Sequence, residues 1–104
     1  MEVFYKNHKI AKICEDYSKL RKKYGDDRAK EINKRIEEMK AAESLYDISK
    51  LPQARLHPLH DDLTGRYSVD ITHPFRIIIL PMNGNAIGLT SITKVKLEDI
   101  KNTH

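Results

Sequence analysis

Three imidazoles and one oddly placed guanidinium are the groups in this sequence best suited to chemistry. His57 and His60 stand three residues apart in "ARLHPLHDDLTGRYSVDI", which begins at Ala54. Imidazole titrates near ~6.5, so either ring can take or give a proton near neutral pH. Arg76 interrupts the apolar run Phe75-Arg76-Ile77-Ile78-Ile79-Leu80. A guanidinium keeps its charge and is costly to bury alone. Its place therefore demands an ion pair, an edge position, or an anion such as phosphate on an open face. The segment "ITKVKLEDIKNTH" ends in Asn102-Thr103-His104. If that tail reaches back over the sheet, His104 joins the candidates; otherwise it is a disordered end.

The residue types alone leave His57 open between a half-exposed strand histidine, a hydrogen-bonded core histidine and a functional one. His60 with Asp61 and Asp62 invites comparison with an H-x-x-H zinc site. On a strand that spacing puts the two rings on opposite faces, and no third ligand stands out, so neither a metal nor a cofactor is expected. The single cysteine, Cys14, has no partner for an intrachain disulfide and falls on a helical apolar stripe, which makes it a core residue. Lys6, Lys9, Lys12, Lys19, Lys22 and Lys23 form either a solvated helix face or a patch for a polyanion.

The elements that must position these groups fit within one domain spanning residues 1–104. Hydrophobic residues make up 39% of the chain and charged residues 33%, which suits a packed core under an ionised surface. The net charge of +4 is compatible with an acidic or polyanionic partner. The opening MEVFYKNHK lacks the apolar stretch of a signal peptide, and the longest aliphatic run is Ile77-Ile78-Ile79-Leu80. With one cysteine, the expectation is a cytoplasmic protein with no membrane partner.

From about Asn7 to Tyr24, Ile10, Ile13, Cys14, Tyr17, Leu20 and Tyr24 form one helical stripe, with Asn7 as cap and Gly25 as stop. Asp26 and Asp27 offer the next N-cap, before a stripe of Ala29, Ile32, Ile36 and Met39. Glu31 and Arg35 have the favourable i,i+4 spacing. After Pro52 the period becomes two, with strands expected at about 54–59, 66–71, 75–81 and 87–97. Asp61 to Gly65, Thr72-His73-Pro74 and Asn83-Gly84 read as the turns between them. Such short turns imply an antiparallel meander. Glu2 to Tyr5 is a candidate fifth, edge strand. The fold class is therefore α+β: a helical hairpin on one face of a small antiparallel sheet, mixed at its edge, with the other face open.

Three segments in order, "LHPLHDDLTGRYSVDI", "HPFRIII" and "ITKVKLEDIKNTH", resemble the RelE/ParE superfamily of bacterial toxins, in its HigB-like, plasmid maintenance killer branch. That branch pairs an L-H-P-L strand with a G-x-[WY]-S strand. An aromatic-Arg pair then opens the next strand, and the chain closes on I-x-x-I-x-D-[YT]-H. The resemblance covers roughly residues 50–104. His57, Arg76 and His104 keep the pattern. Asn102 departs from it, replacing a carboxylate with an amide. Thr103 stands where many members have tyrosine, and His60 where lysine is common.

The resemblance implies a bacterial, cytoplasmic toxin of a type II toxin-antitoxin system. It implies a ribosome-dependent mRNA endonuclease that works without metal and is neutralised by a cognate antitoxin, often of helix-turn-helix type. DNA would be met only through that antitoxin. His57 and His104 would then be base and acid in either order, Arg76 would grip the phosphate, and Asn102 would occupy the place of the family carboxylate. Arg55, His60, Lys94, Lys96 and Thr103 would position RNA. Two other readings go with the same fold: a ParE-like inhibitor of DNA gyrase, and a degenerate toxin kept as an antitoxin-binding co-repressor.

Overall fold

A computed structural model of the protein describes residues 1–85 and 88–102. The chain opens with β1 (Glu2–Tyr5), followed by α1 (His8–Cys14), α2 (Tyr17–Tyr24), α3 (Asp26–Ala41) and α4 (Leu45–Ser49). The strands β2 (His57–Pro58), β3 (Tyr67–Asp70), β4 (Phe75–Pro81) and β5 (Lys94–Asn102) complete an α+β fold. The sheet runs β1-β5-β4-β3-β2. Successive strands from β2 to β5 pair antiparallel, and β1 adds parallel to β5 at the far edge. Among the described residues no helix is long and apolar enough to cross a membrane.

The stripe expected as one helix is divided in two. The Asp16 carboxylate accepts from the Lys19 N–H at 3.3 Å, capping α2 and ending α1 after Cys14. The apolar spacing runs across this break without a gap, so periodicity does not reveal it. Asn7 caps α1 by accepting from the Ile10 N–H at 2.9 Å. Gly25, at φ 87°, closes α2 and also opens α3, which leaves Asp26 and Asp27 inside the first turn rather than at the cap. There their charges complement the helix N-terminus. The short helix α4 was not anticipated; it buries Leu45 and Ile48.

β4 occupies its expected span. The expected strand at 54–59 contracts to His57–Pro58, because Arg55 adopts the left-handed conformation at φ 43°. Pro58 fits this edge strand, where a missing N–H breaks no interior ladder. The expected strand at 87–97 is displaced toward the C-terminus. Leu89–Ser91 form a 3-10 turn, and β5 runs from Lys94 to Asn102. A register shift lies opposite Ile78 and Ile79, where Ile78 pairs with Asp99 and Ile79 with Leu97. The extra residue, Glu98, explains why Val95 and Leu97 alternate but the next inward residue is Ile100. Gly84, at φ 84°, is required in the β4–β5 connection because a Cβ there would stand 2.7 Å from the Ser91 carbonyl oxygen.

The core lies between the helices and one face of the sheet. Leu20, Ala29, Ile32, Ile36 and Met39 meet Val69, Ile77, Ile79, Val95 and Leu97. Arg35 enters this layer almost completely buried. Its Nη1 donates to Glu38 at 2.8 Å and its Nη2 to Glu31 at 3.2 Å, while Nε donates to the Asp70 carbonyl at 2.8 Å. Nη2 also lies 3.4 Å from the Gln53 carbonyl. One guanidinium thus ties α3 to the end of β3 and to the segment leading into β2.

Candidate functional site

Alternation along paired strands decides which side chains meet on the face away from the helices. His57 pairs with Ser68, and Ser68 with Ile78. Two residues on, Asp70 pairs with Arg76. These five side chains therefore share one face, opposite to Val69, Ile77 and Ile79. Arg76 reaches along it until Nη1 stands 3.1 Å from Nε2 of His57. The Ser68 hydroxyl, fully buried, lies 3.4 Å from both ring nitrogens, at the outer limit of hydrogen bonding, and so packs against the ring.

The contacts of His57 select its tautomer. Nδ1 lies 3.2 Å from the Arg55 carbonyl oxygen, which can only accept, so Nδ1 carries the hydrogen. A guanidinium can only donate, so Nε2, facing Arg76, carries the lone pair. With Nδ1 as the donor, the Nε2 lone pair is turned toward the cation. This is the state needed to take a proton from a hydroxyl brought up to Arg76.

His57 and Arg76 line a cleft of about 300 Å³ together with Arg55, Asp70, His73 and Phe75. The Arg55 Nε is 3.4 Å from an Asp70 carboxylate oxygen, with the Arg55 side chain 73% exposed. Phe75 forms one wall, and its ring is backed by the Arg28 guanidinium of α3 at 3.7 Å from the centroid. Two guanidinium groups, one of them paired with the Asp70 carboxylate, and two imidazoles line this small cleft, which suits it to an anion, with Nε2 of His57 as a proton acceptor beside it.

The other expected site residues fall in different places. Asn102 ends β5 opposite Phe75, one register step from the Lys101–Arg76 pair. His60 lines a second cleft of about 570 Å³ with Tyr67 and Met82, and so stands apart from His57. Lys96 pairs with Leu80 and Lys94 lies two residues further along β5. Leu80 lies four residues beyond Arg76 on β4, which at ~3.3 Å per residue is roughly 13 Å. These two lysines therefore belong to the distant end of the sheet. Thr103 and His104 lie outside the described residues.

Sequence reasoning missed Asp70, Ser68, Phe75 and His73. A signal existed for Asp70 and Ser68: in "YSVD" they are the polar alternates, on the face opposite to Val69. Nothing in the spacing marks His73, which the β3–β4 turn brings to the cleft. Among the described residues no group of three or more His, Cys, Asp or Glu side chains could hold a metal ion. No protein-family model matches the sequence, and no curated protein matches it.

Proposed function

We propose that the protein is an mRNA endonuclease toxin of a type II toxin-antitoxin system, acting on messages in the ribosome and held inactive by a cognate antitoxin. The observation that carries this reading is the 3.1 Å approach of Arg76 to the lone-pair nitrogen of His57 in an open cleft. It is joined to the resemblance of residues 50–104 to the HigB-like branch.

In the reaction, an RNA phosphate enters the cleft and Arg76 turns its forked donors to the non-bridging oxygens. A ribose 2′-hydroxyl takes the place of Arg76 on Nε2 of His57. His57 accepts its proton as the oxygen attacks the adjacent phosphorus. The bond to the leaving 5′-oxygen breaks, that oxygen is protonated by a general acid, and a 2′,3′-cyclic phosphate remains. Arg76 and Arg55 stabilise the charge that builds on the phosphoryl oxygens. His104 is the candidate acid. Asn102 cannot take or give a proton in the manner of a carboxylate, so the chemistry falls to the imidazoles.

Brief induction in bacteria, with mapping of mRNA 5′ ends, tests the proposal against a His57→Ala variant. New in-frame cuts in translated messages, absent in the variant, are the expected result. Growth arrest without cuts would move the assignment to a gyrase-type target. A folded protein that causes neither would move it to an antitoxin-binding co-repressor, the reading that Asn102 favours.

A further inference from the structure

We infer that Arg55 is a positioning residue: its backbone carbonyl, held by a left-handed conformation, locks His57 in the tautomer that leaves Nε2 free to accept a proton. The inference rests on the proposed role of His57 for its functional meaning, but its geometry is independent of RNA.

Arg55 is one of two non-glycine residues with positive φ among the described residues, at 43°. Such a conformation is disfavoured for a residue with a Cβ, and it persists only where surroundings hold it. Several contacts hold it here. The Asp70 N–H donates to the Ala54 carbonyl at 2.7 Å, fixing the residue just before Arg55 to the end of β3. The buried Arg35 takes the Asp70 carbonyl at 2.8 Å and reaches the Gln53 carbonyl on the other side. The Asp70 carboxylate draws in the Arg55 side chain itself. With Gln53 and Ala54 fastened before it and His57 paired with Ser68 after it, the chain turns at Arg55 and its carbonyl faces back to Nδ1 of His57 at 3.2 Å. An extended Arg55 would continue β2 toward Ala54 and carry that carbonyl elsewhere. The backbone supplies here the orienting acceptor that fixes which ring nitrogen is protonated.

The test separates backbone conformation from charge by removing the guanidinium in two ways. Arg55→Gly keeps a residue at ease with positive φ; Arg55→Val installs a β-branched residue that resists it. The tautomer of His57 is read by two-bond 1H–15N correlation of the imidazole nitrogens, with His57→Ala identifying the signals among the five histidines. The Nδ1–H pattern is expected to survive in Arg55→Gly and to be lost in Arg55→Val, with the backbone spectrum confirming that both fold. Should Arg55→Val keep the pattern, or Arg55→Gly lose it equally, the inference is overturned. If the tautomer follows the inference while the protein cuts no RNA, the positioning device stands and the endonuclease proposal falls. In an active enzyme, Arg55→Val should lower kcat more than Arg55→Gly does, since both lack the guanidinium equally and differ only in the backbone conformation they accept at residue 55.

Discussion

The two faces of the sheet are made from the same strands, often from neighbouring residues, and do opposite work. Val69, Ile77 and Leu97 point to the helices and are wholly buried. Ser68, Asp70 and Arg76, one residue away, point to the other side and gather around His57. The covered face is held by area removed from water, which is non-directional and tolerates small shifts. The open face also buries Ile78, but around the cleft it is held by directional contacts, each with one donor and one acceptor. Arg76 meets His57 there, and elsewhere on the sheet Arg66 pairs with Glu98. A one-residue slip of β4 would exchange the two sets, so packing of the covered face is also what aims the open one.

Substitutions on the two faces should therefore separate stability from activity. If the proposed endonuclease activity holds, the largest effect is expected for His57→Ala, with cleavage slowed by about 10²–10⁴ and the thermal midpoint little changed, measured by timed RNA cleavage beside a melting curve. Equal loss of both would erase the distinction between the faces. Leu97→Ala is its mirror. It should cost about 2–5 kcal/mol in urea unfolding, because it leaves a cavity among fully buried neighbours. The folded fraction should keep its specific activity.

Arg35 belongs to both faces, since it sits under the helices and fastens the approach to the cleft. Arg35→Met should cost roughly 2–3 kcal/mol, from charge-assisted hydrogen bonds that the aliphatic chain cannot replace. Unlike Leu97→Ala, it should also broaden the imidazole signals of His57. Stability lost with those signals unchanged would assign Arg35 to the covered face alone.

The smallest effect is an alkaline one confined to the covered side. Burial pushes the Cys14 thiol up to about 11 and, likewise, the Tyr5 hydroxyl up to about 12. Both groups are favoured in their neutral forms by the fold. Their contribution is complete below the ordinary thiol value of 9.0 and is lost as pH rises toward about 11 for Cys14. Urea midpoints from pH 8 to pH 11 should therefore fall for the natural sequence and fall less for Cys14→Ala. Identical slopes would show that the thiol takes no part.

Much of this was legible in the sequence because it is set by local rules. The stripe Ala29, Ile32, Ile36 and Met39 needs an apolar surface to lie on, and α3 buries all four. Asn7 and Gly25 mark helix ends by their own side-chain and backbone preferences. The run 75–81 is a strand because its alternation and β-branched residues suit nothing else so well. Even the prospect of Arg76 facing away from Ile77 follows from a period of two. The break at Asp16, the contraction of β2 and the bulge at Glu98 were not legible. A cap inside a continuous stripe, a left-handed Arg55 and one extra residue in a ladder leave the hydrophobic pattern almost untouched.

What the sequence determined alone is the set of elements, the two-sided character of the sheet, and the residue types a phosphate cleft would need. Only the tertiary structure decided which of those residues meet. His57 and Arg76 come together because β3 and β4 carry one register between them, while His60, three residues from His57, opens into a different cleft. Asp70 entered the site for the same reason, and the Arg55 carbonyl beside Nδ1 of His57 follows a segment that Arg35, far along the chain, ties to the end of β3. Periodicity reports which way a side chain points, whereas a site needs distances across strands, and those are fixed by long-range pairing and core packing.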